Sequence, residues 1–159
     1  SAFSRIGEAV NEVMLLNEVL HSLHGLYQGQ PECEILYNDP TQPCYVYADK
    51  TQMNRLFTNL LQNAIQAIPE SRMGRIVMHM EATSDDQWVV VSVQDNGEGI
   101  SPEIQSRIFV PNFTTKNSGT GLGLAMCKNI VEQARGEIWF LTRLNMGTTF
   151  YVKLPLVAK

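Results

Sequence analysis

Three cysteines in 159 residues, none in CxxC spacing, supply neither a disulfide framework nor a zinc site. Cys33, Cys44 and Cys127 therefore read as reduced thiols. Charge of one sign is scarce too: 12 basic against 16 acidic side chains give a net charge of -4, which argues against a nucleic-acid surface. Apolar runs such as Trp88–Val91 fall far short of the roughly 20 residues needed to cross a bilayer. The opening SAFSRIGEAVNEV lacks the basic region and apolar core of a secretory signal, so a cytoplasmic location is expected. Internal repeats and low-complexity tracts are missing. What is present, 44% hydrophobic residues over an ordinary domain length, suffices for one core.

Helical and strand periods alternate along the chain. Residues 4–27 carry a helical pattern in two phases, Ile6, Val10, Val13 and Met14 on one stripe and Val19, Leu20, Leu23 and Leu26 on another. A break is expected near Leu16, with Asn17 capping the second helix. ECEILYND and CYVYAD read as strands separated by the turn-forming DPTQP. From Asp49 the period becomes helical again, with Met53, Leu56, Phe57, Leu60, Leu61, Ala64, Ile65 and Ile68 in one stripe that ends at Pro69. RIVMHMEA and WVVVSVQD form a strand hairpin around TSDDQ, and a short helix is expected from Ser101. A loop, a helix to about Ala134, and a second hairpin of GEIWFLTR and TTFYVKLPL around NMG complete the chain. The predicted fold is an α/β sandwich: a mixed, mostly antiparallel sheet covered by helices on one face.

Within KNSGTGLGLAMCKNIVEQARG, residues 116–136, Gly119, Gly121 and Gly123 stand directly before an amphipathic helix. They do not form a GxxxxGK[ST] phosphate loop, because no lysine follows the last glycine. GxGxxG fails as well, since Leu124 occupies the place of its third glycine. A turn leading into a glycine-tolerant helix start would explain them equally well. Two other features point to a site. Asp95, in DNGEGI at a strand end, shares parity with Val89, Val91 and Val93, so its carboxylate points toward the core, where it needs donors. An Asx-turn acceptor is the plain alternative. Asn59 and Asn63 stand four apart on one helix, beside the apolar stripe, where asparagine is a poor helix former and an amide oxygen is a suitable hard ligand for Mg2+.

In this order, NLLQNA, DNGEGI, IFVPNFTTK and GTGLGL resemble the asparagine box, first glycine box, phenylalanine box and second glycine box of the ATP-binding catalytic domain of bacterial sensor histidine kinases. That family belongs to the GHKL superfamily, with the Bergerat fold, alongside gyrase, mismatch-repair ATPases and heat-shock chaperones. Each motif is weak alone, and all four in sequence are specific. The resemblance covers roughly residues 17–156 and implies a division into residues 1–15, the tail of a dimerisation helix or a linker, and residues 16–159, the catalytic domain. It implies that Asp95 accepts from the adenine amino group, where guanine offers an acceptor instead. Gly97 and Gly99 would let the backbone pass the base, with Ile100 beside it. Asn63 would hold Mg2+ against the phosphates, with Asn59 next to it. Phe113, Thr115, Lys116, Gly119 and Thr120 would belong to a lid whose lysine reaches a phosphate. Gly119, Gly121, Leu122, Gly123 and Leu124 would present amides at a helix N-terminus.

The resemblance also implies partners: a histidine-bearing dimerisation domain of the same homodimeric parent, soluble or membrane-anchored, and the receiver domain of a response regulator. The H-E-x-x-N-like phosphoacceptor motif of that dimerisation domain does not occur here; His21 and His24 in LHSLHGLY align with the linker helix. After the asparagine box stand Gln66 and Ala67, where many members carry a basic or aromatic pair, a form similar to the nitrogen-regulation type. The hydrolases of the superfamily carry a glutamate base where Asn59 stands, and an amide takes no proton, so phosphoryl transfer is expected over hydrolysis. A nucleotide-binding module without kinase activity and an ATPase switch are the alternatives. Phe109 suits either a core edge or the lid. His21, His24 and His79 read as structural or exposed, and the methionines, Met78 and Met80 included, as core filling.

Overall fold

The structure, a computed structural model, describes residues 9–40, 42–113 and 123–159. In chain order its elements are β1 (Glu12–Leu15), α1 (Leu16–Tyr27), β2 (Cys33–Asn38), β3 (Tyr45–Ala48), α2 (Lys50–Gln66), β4 (Gly74–Ala82), β5 (Trp88–Asp95), α3 (Gly123–Gln133), β6 (Glu137–Arg143) and β7 (Gly147–Pro155). Five strands form one sheet in the order β2-β4-β5-β7-β6. Only the β2–β4 pair is parallel, so the sheet is mixed and mostly antiparallel, as its two hairpins require. β1 and β3 pair antiparallel in a separate small sheet.

α2 forms for local reasons and stays for tertiary ones. Asp49 occupies its N-cap, accepting from the Gln52 backbone N–H at 3.0 Å. Met53, Leu56, Phe57, Leu60, Leu61 and Ala64 then recur on one stripe and are buried. That stripe faces Ile76, Met78 and Met80 of β4, Val89, Val91 and Val93 of β5, and Phe150, Val152 and Leu154 of β7, all buried in one core. Alternation places the intervening residues on the opposite face. There His79, Ser92, Tyr151 and Trp139 align in one cross-strand row, and Trp139 stacks on Tyr151 at 5.3 Å. None of the described helices is long and apolar enough to cross a membrane.

Tertiary pairing overrides the helical period near the start. Residues 12–15, expected in a helix, form β1, because Glu12 to Leu15 find backbone partners from Ala48 to Tyr45. The break before Leu16 is real, but Leu15 is the N-cap and makes no side-chain bond. Asn17 lies inside the first turn of α1, where its Oδ1 accepts from Cys44 N at 2.7 Å and its amide donates to Asp39 and to the Gln42 carbonyl. The side chain read as a cap instead ties α1 to the segment before β3. Of the stripe residues, Val19, Leu20 and Leu23 are buried, whereas Leu26 and Val10 are largely exposed. The helix expected from Ser101 is a turn followed by a single 3-10 turn at Gln105–Arg107.

Candidate functional site

Asn59, Asn63 and Ala67 are each one turn apart on α2 and its C-cap, so they share a line on the helix surface. At the first of these positions the Asn59 amide donates to the Arg55 carbonyl at 3.3 Å. Its Oδ1 faces the start of α3, where a Cβ added to Gly123 would come within 2.6 Å of it. At the last position the Ala67 carbonyl accepts from Glu98 N at 3.0 Å, and a Cβ on Gly97 would overlap that carbonyl. One helix therefore touches both glycine segments. The two contacts are eight residues apart, about 12 Å along the axis at about 1.5 Å per residue.

Asp95 ends β5 on the core face, as its parity requires, and is 6% exposed. Its Oδ1 accepts from Gly97 N at 2.8 Å and from Thr148 N at 3.2 Å. The Asx-turn reading and the buried-acceptor reading are thus both correct: one oxygen builds the turn and joins it to β7. Thr148 is itself buried, and its hydroxyl lies 2.8 Å from that of Thr142, which accepts from Ile100 N at 2.9 Å. Gly99 has φ +77°, and a Cβ there would meet the Arg143 carbonyl. The first glycine box is therefore clamped between the end of α2 and the β6–β7 hairpin. Sequence reasoning missed Thr142 and Thr148. The signal for Thr148 was its parity with Phe150, Val152 and Leu154 on the buried face of β7.

The remaining residues sort as follows. Ile100, Phe113 and Leu124 are partly buried against the core. The Arg107 guanidinium lies 5.2 Å from the Phe113 ring centroid. Phe109 packs against Phe140 and Phe150 at 6.1 and 6.4 Å, which makes it a core-edge aromatic. Thr115, Lys116, Gly119, Thr120, Gly121 and Leu122, with the lid they would form, lie outside the described residues. Met78 and Met80 are core, and His24 bonds the Ile35 carbonyl. The three cysteines are free and buried, and burial pushes the Cys127 thiol up to about 12, far from thiolate chemistry. Among the described residues no cluster of three His, Cys, Asp or Glu side chains could hold a metal.

What this arrangement offers is a buried carboxylate at one end of a helix-lined face and amide oxygens beside a bare helix start at the other. Residues 48–158 match the family described as histidine kinase-, DNA gyrase B- and HSP90-like ATPases. The sensor histidine kinase ZraS of Salmonella typhi is 36% identical over 155 residues, 96% of this chain and 32% of ZraS. The catalytic domain of the histidine kinase ThkA superposes with a TM-score of 0.80 at 33% identity, covering 92% of this chain and 95% of that domain. ThkA solved in complex with the response regulator protein TrrA matches with a TM-score of 0.76 at 29% identity, over 98% of this chain and 45% of ThkA. The chain spans about a third of the length of ZraS. With this site on this fold, the chain belongs to the histidine kinase-, DNA gyrase B- and HSP90-like ATPase family and carries its catalytic ATP-binding domain.

Proposed function

We propose that this domain binds Mg2+-ATP and transfers the γ-phosphate to a histidine on a separate dimerisation domain of its parent, for relay to an aspartate of a response regulator. The observation that carries the reading is the spacing on α2. The buried carboxylate loop and the Gly123 helix start meet the same helix about 12 Å apart, a span suited to an extended nucleoside triphosphate. Asp95 recognises the adenine amino group, its carboxylate held in plane by the Gly97 and Thr148 amides. A lid from Phe113 to Thr120 closes over the phosphates, with Lys116 as a point charge. The catalytic unit begins at β1, whose Glu12–Leu15 pairs with β3 and whose Met14 is in the core, and the residues before it end the dimerisation helix or a linker. The work takes place in the cytoplasm, where ATP is available.

The donor set fits Mg2+. Asn63 and Asn59 bring hard amide oxygens to one helix face, and Gly123, where a Cβ would lie 2.6 Å from Asn59 Oδ1, lets the α3 start approach that oxygen. When bound, the ion neutralises charge on the phosphate oxygens. The chain itself positions the nucleotide and supplies no base at Asn59, since an amide cannot take a proton from water. Transfer to a presented imidazole is thereby favoured over hydrolysis. The resemblance to ThkA, which is solved with its response regulator, supports the relay partner.

The test supplies the parent's histidine-bearing dimerisation domain in trans with labelled ATP and Mg2+. Label on histidine, with little free phosphate, is expected. ATP binding without histidine labelling would turn the assignment to a binding module, and rapid phosphate release would turn it to an ATPase switch.

A further inference from the structure

Arg72 lies in the connection between α2 and β4, outside every motif that led to the site. Its Nη1 donates to three backbone carbonyls: Asn96 at 2.7 Å, Asn145 at 3.0 Å and Gly97 at 3.3 Å. No carboxylate lies within ion-pair distance of it among the described residues. Among the described residues the partners of this half-buried cation are carbonyls, and they come from two separate segments, the first glycine box and the β6–β7 turn. Those segments also meet directly, Asn145 N donating to the Glu98 carbonyl at 2.6 Å. Around Arg72 the same connection grips the loop a second time. Asn96 Oδ1 accepts from Arg75 N at 2.7 Å, and its amide donates to the Met73 carbonyl at 3.1 Å. The loop so held contains Gly97, whose N–H orients Asp95, and the hairpin so held carries Thr148, whose N–H orients the same oxygen.

We propose that Arg72 is a positioning residue for nucleotide recognition: by joining the Asn96–Gly97 carbonyls to the Asn145 carbonyl, it fixes the loop and hairpin whose amides aim the Asp95 carboxylate. The inference rests on Asp95 reading adenine, and it concerns base selection rather than the phosphates. A general structural role would weaken all nucleotides alike. A positioning role changes the preference for ATP over GTP, because only the aim of one acceptor separates the two bases.

The experiment measures ATP and GTP affinity of the full chain by calorimetry for wild type, Arg72→Met and Arg72→Lys, with a melting curve for each. Wild type prefers ATP. Arg72→Met keeps the stem and loses the donors, and is expected to weaken ATP on the order of tenfold, as for a lost charge-assisted bond. GTP should change far less, so that the preference narrows. Arg72→Lys should recover most of the preference, because all three contacts use one nitrogen and an ammonium carries three donors. Equal weakening of ATP and GTP in a folded Arg72→Met, or no change in either, overturns the proposal. If Arg72→Met does not fold at the assay temperature, Arg72→Gln is read instead, where a narrowed preference supports the proposal and a wild-type preference overturns it. Wild type that ignores ATP sinks the functional reading itself, a result separate from any behaviour of the Arg72 variants.

Discussion

Replacing Asp95 by asparagine separates the structural task of its carboxylate from the adenine recognition proposed for it. Oδ1 accepts from Gly97 N and Thr148 N. The amide oxygen of asparagine can keep both bonds, so the turn and the β7 contact survive. The second oxygen becomes an NH2 group, which opposes the adenine amino group donor to donor. Losing a bond to a charged acceptor costs about 1.5–3 kcal/mol, and leaving a buried donor unmet costs about 1–3 kcal/mol. Together these weaken ATP by about 2.5–6 kcal/mol, on the order of 10²–10⁴ in Kd. GTP should gain relative to ATP, since the new amide can donate to the guanine oxygen. Asp95→Ala should abolish ATP binding and also strip two buried amides of their acceptor. That costs about 2–4 kcal/mol of stability, or roughly 5–15 °C in Tm at this chain length. Calorimetry with ATP and GTP, beside melting curves for both variants, checks the set. An Asp95→Asn protein that folds and binds ATP as wild type does would remove Asp95 from base recognition and refute the reasoning.

Three further substitutions probe other parts of the site and scaffold. Asn63→Ala should weaken Mg2+-ATP more than Mg2+-free ATP; equal losses in a titration with and without the metal would contradict a metal role. Gly123→Ala places a Cβ within 2.6 Å of Asn59 Oδ1, so the asparagine or the helix start must shift, and ATP affinity should fall while the melting curve changes little. Asp49 has its carboxyl held below the usual range by the hydrogen bond from Val10 N, with further bonds from the Gln52 and Thr51 amides. A depressed folded value stabilises above the ordinary aspartate range, about 4, and is lost as pH falls through the lower folded value. Asp49→Asn should therefore cost about 1 kcal/mol or less at neutral pH, since asparagine still caps, and its difference from wild type should vanish in acid. A difference that persists at low pH would show that charge is not the cause.

Much of the fold was legible because its periods were strong and agreed with burial. The α2 stripe, the two hairpins and the parity of Asp95 each followed from spacing alone; the stripe is buried from Met53 to Ala64, while the helix stops at Gln66, before the expected Ile68. The two failures at the start of the chain share one physical cause, long-range pairing that a local pattern does not encode. Glu12–Leu15 carries a helical period yet becomes a strand because β3 offers it an edge, 33 residues or so downstream by the register of Leu15 with Tyr45 and Glu12 with Ala48. Asn17 has the chemistry of a cap but finds the unpaired amide of Cys44. In the site, Asn59 beside an apolar stripe and Asp95 on the buried face of a strand announce themselves. Arg72 does not, because an arginine in a polar connection looks like any solvated charge until its acceptors, the carbonyls of residues 96, 97 and 145, are brought around it.

The placement of both glycine segments against one helix bears on mechanism. Phosphoryl transfer needs little covalent chemistry from the protein and depends on holding the reacting phosphate at a fixed place. A helix is a stiff spacer at this length, so contacts at Asn59 and Ala67 set the distance between the two glycine segments, the phosphate and base ends of the proposed site, without relying on loops. Packing reinforces the spacing: Leu56, Leu60 and Ala64 anchor α2 in the core along the same stretch, and Cys127 of α3 donates to the Leu56 carbonyl at 3.7 Å. Shifting the helix would therefore require repacking the core, whereas the first glycine box and the β6–β7 hairpin are held by hydrogen bonds of backbone groups and of the Arg72, Asp95, Asn96 and Thr142 side chains. Mutations along the buried stripe should lower stability before they alter nucleotide preference, and mutations around residues 72, 95 and 148 should do the reverse.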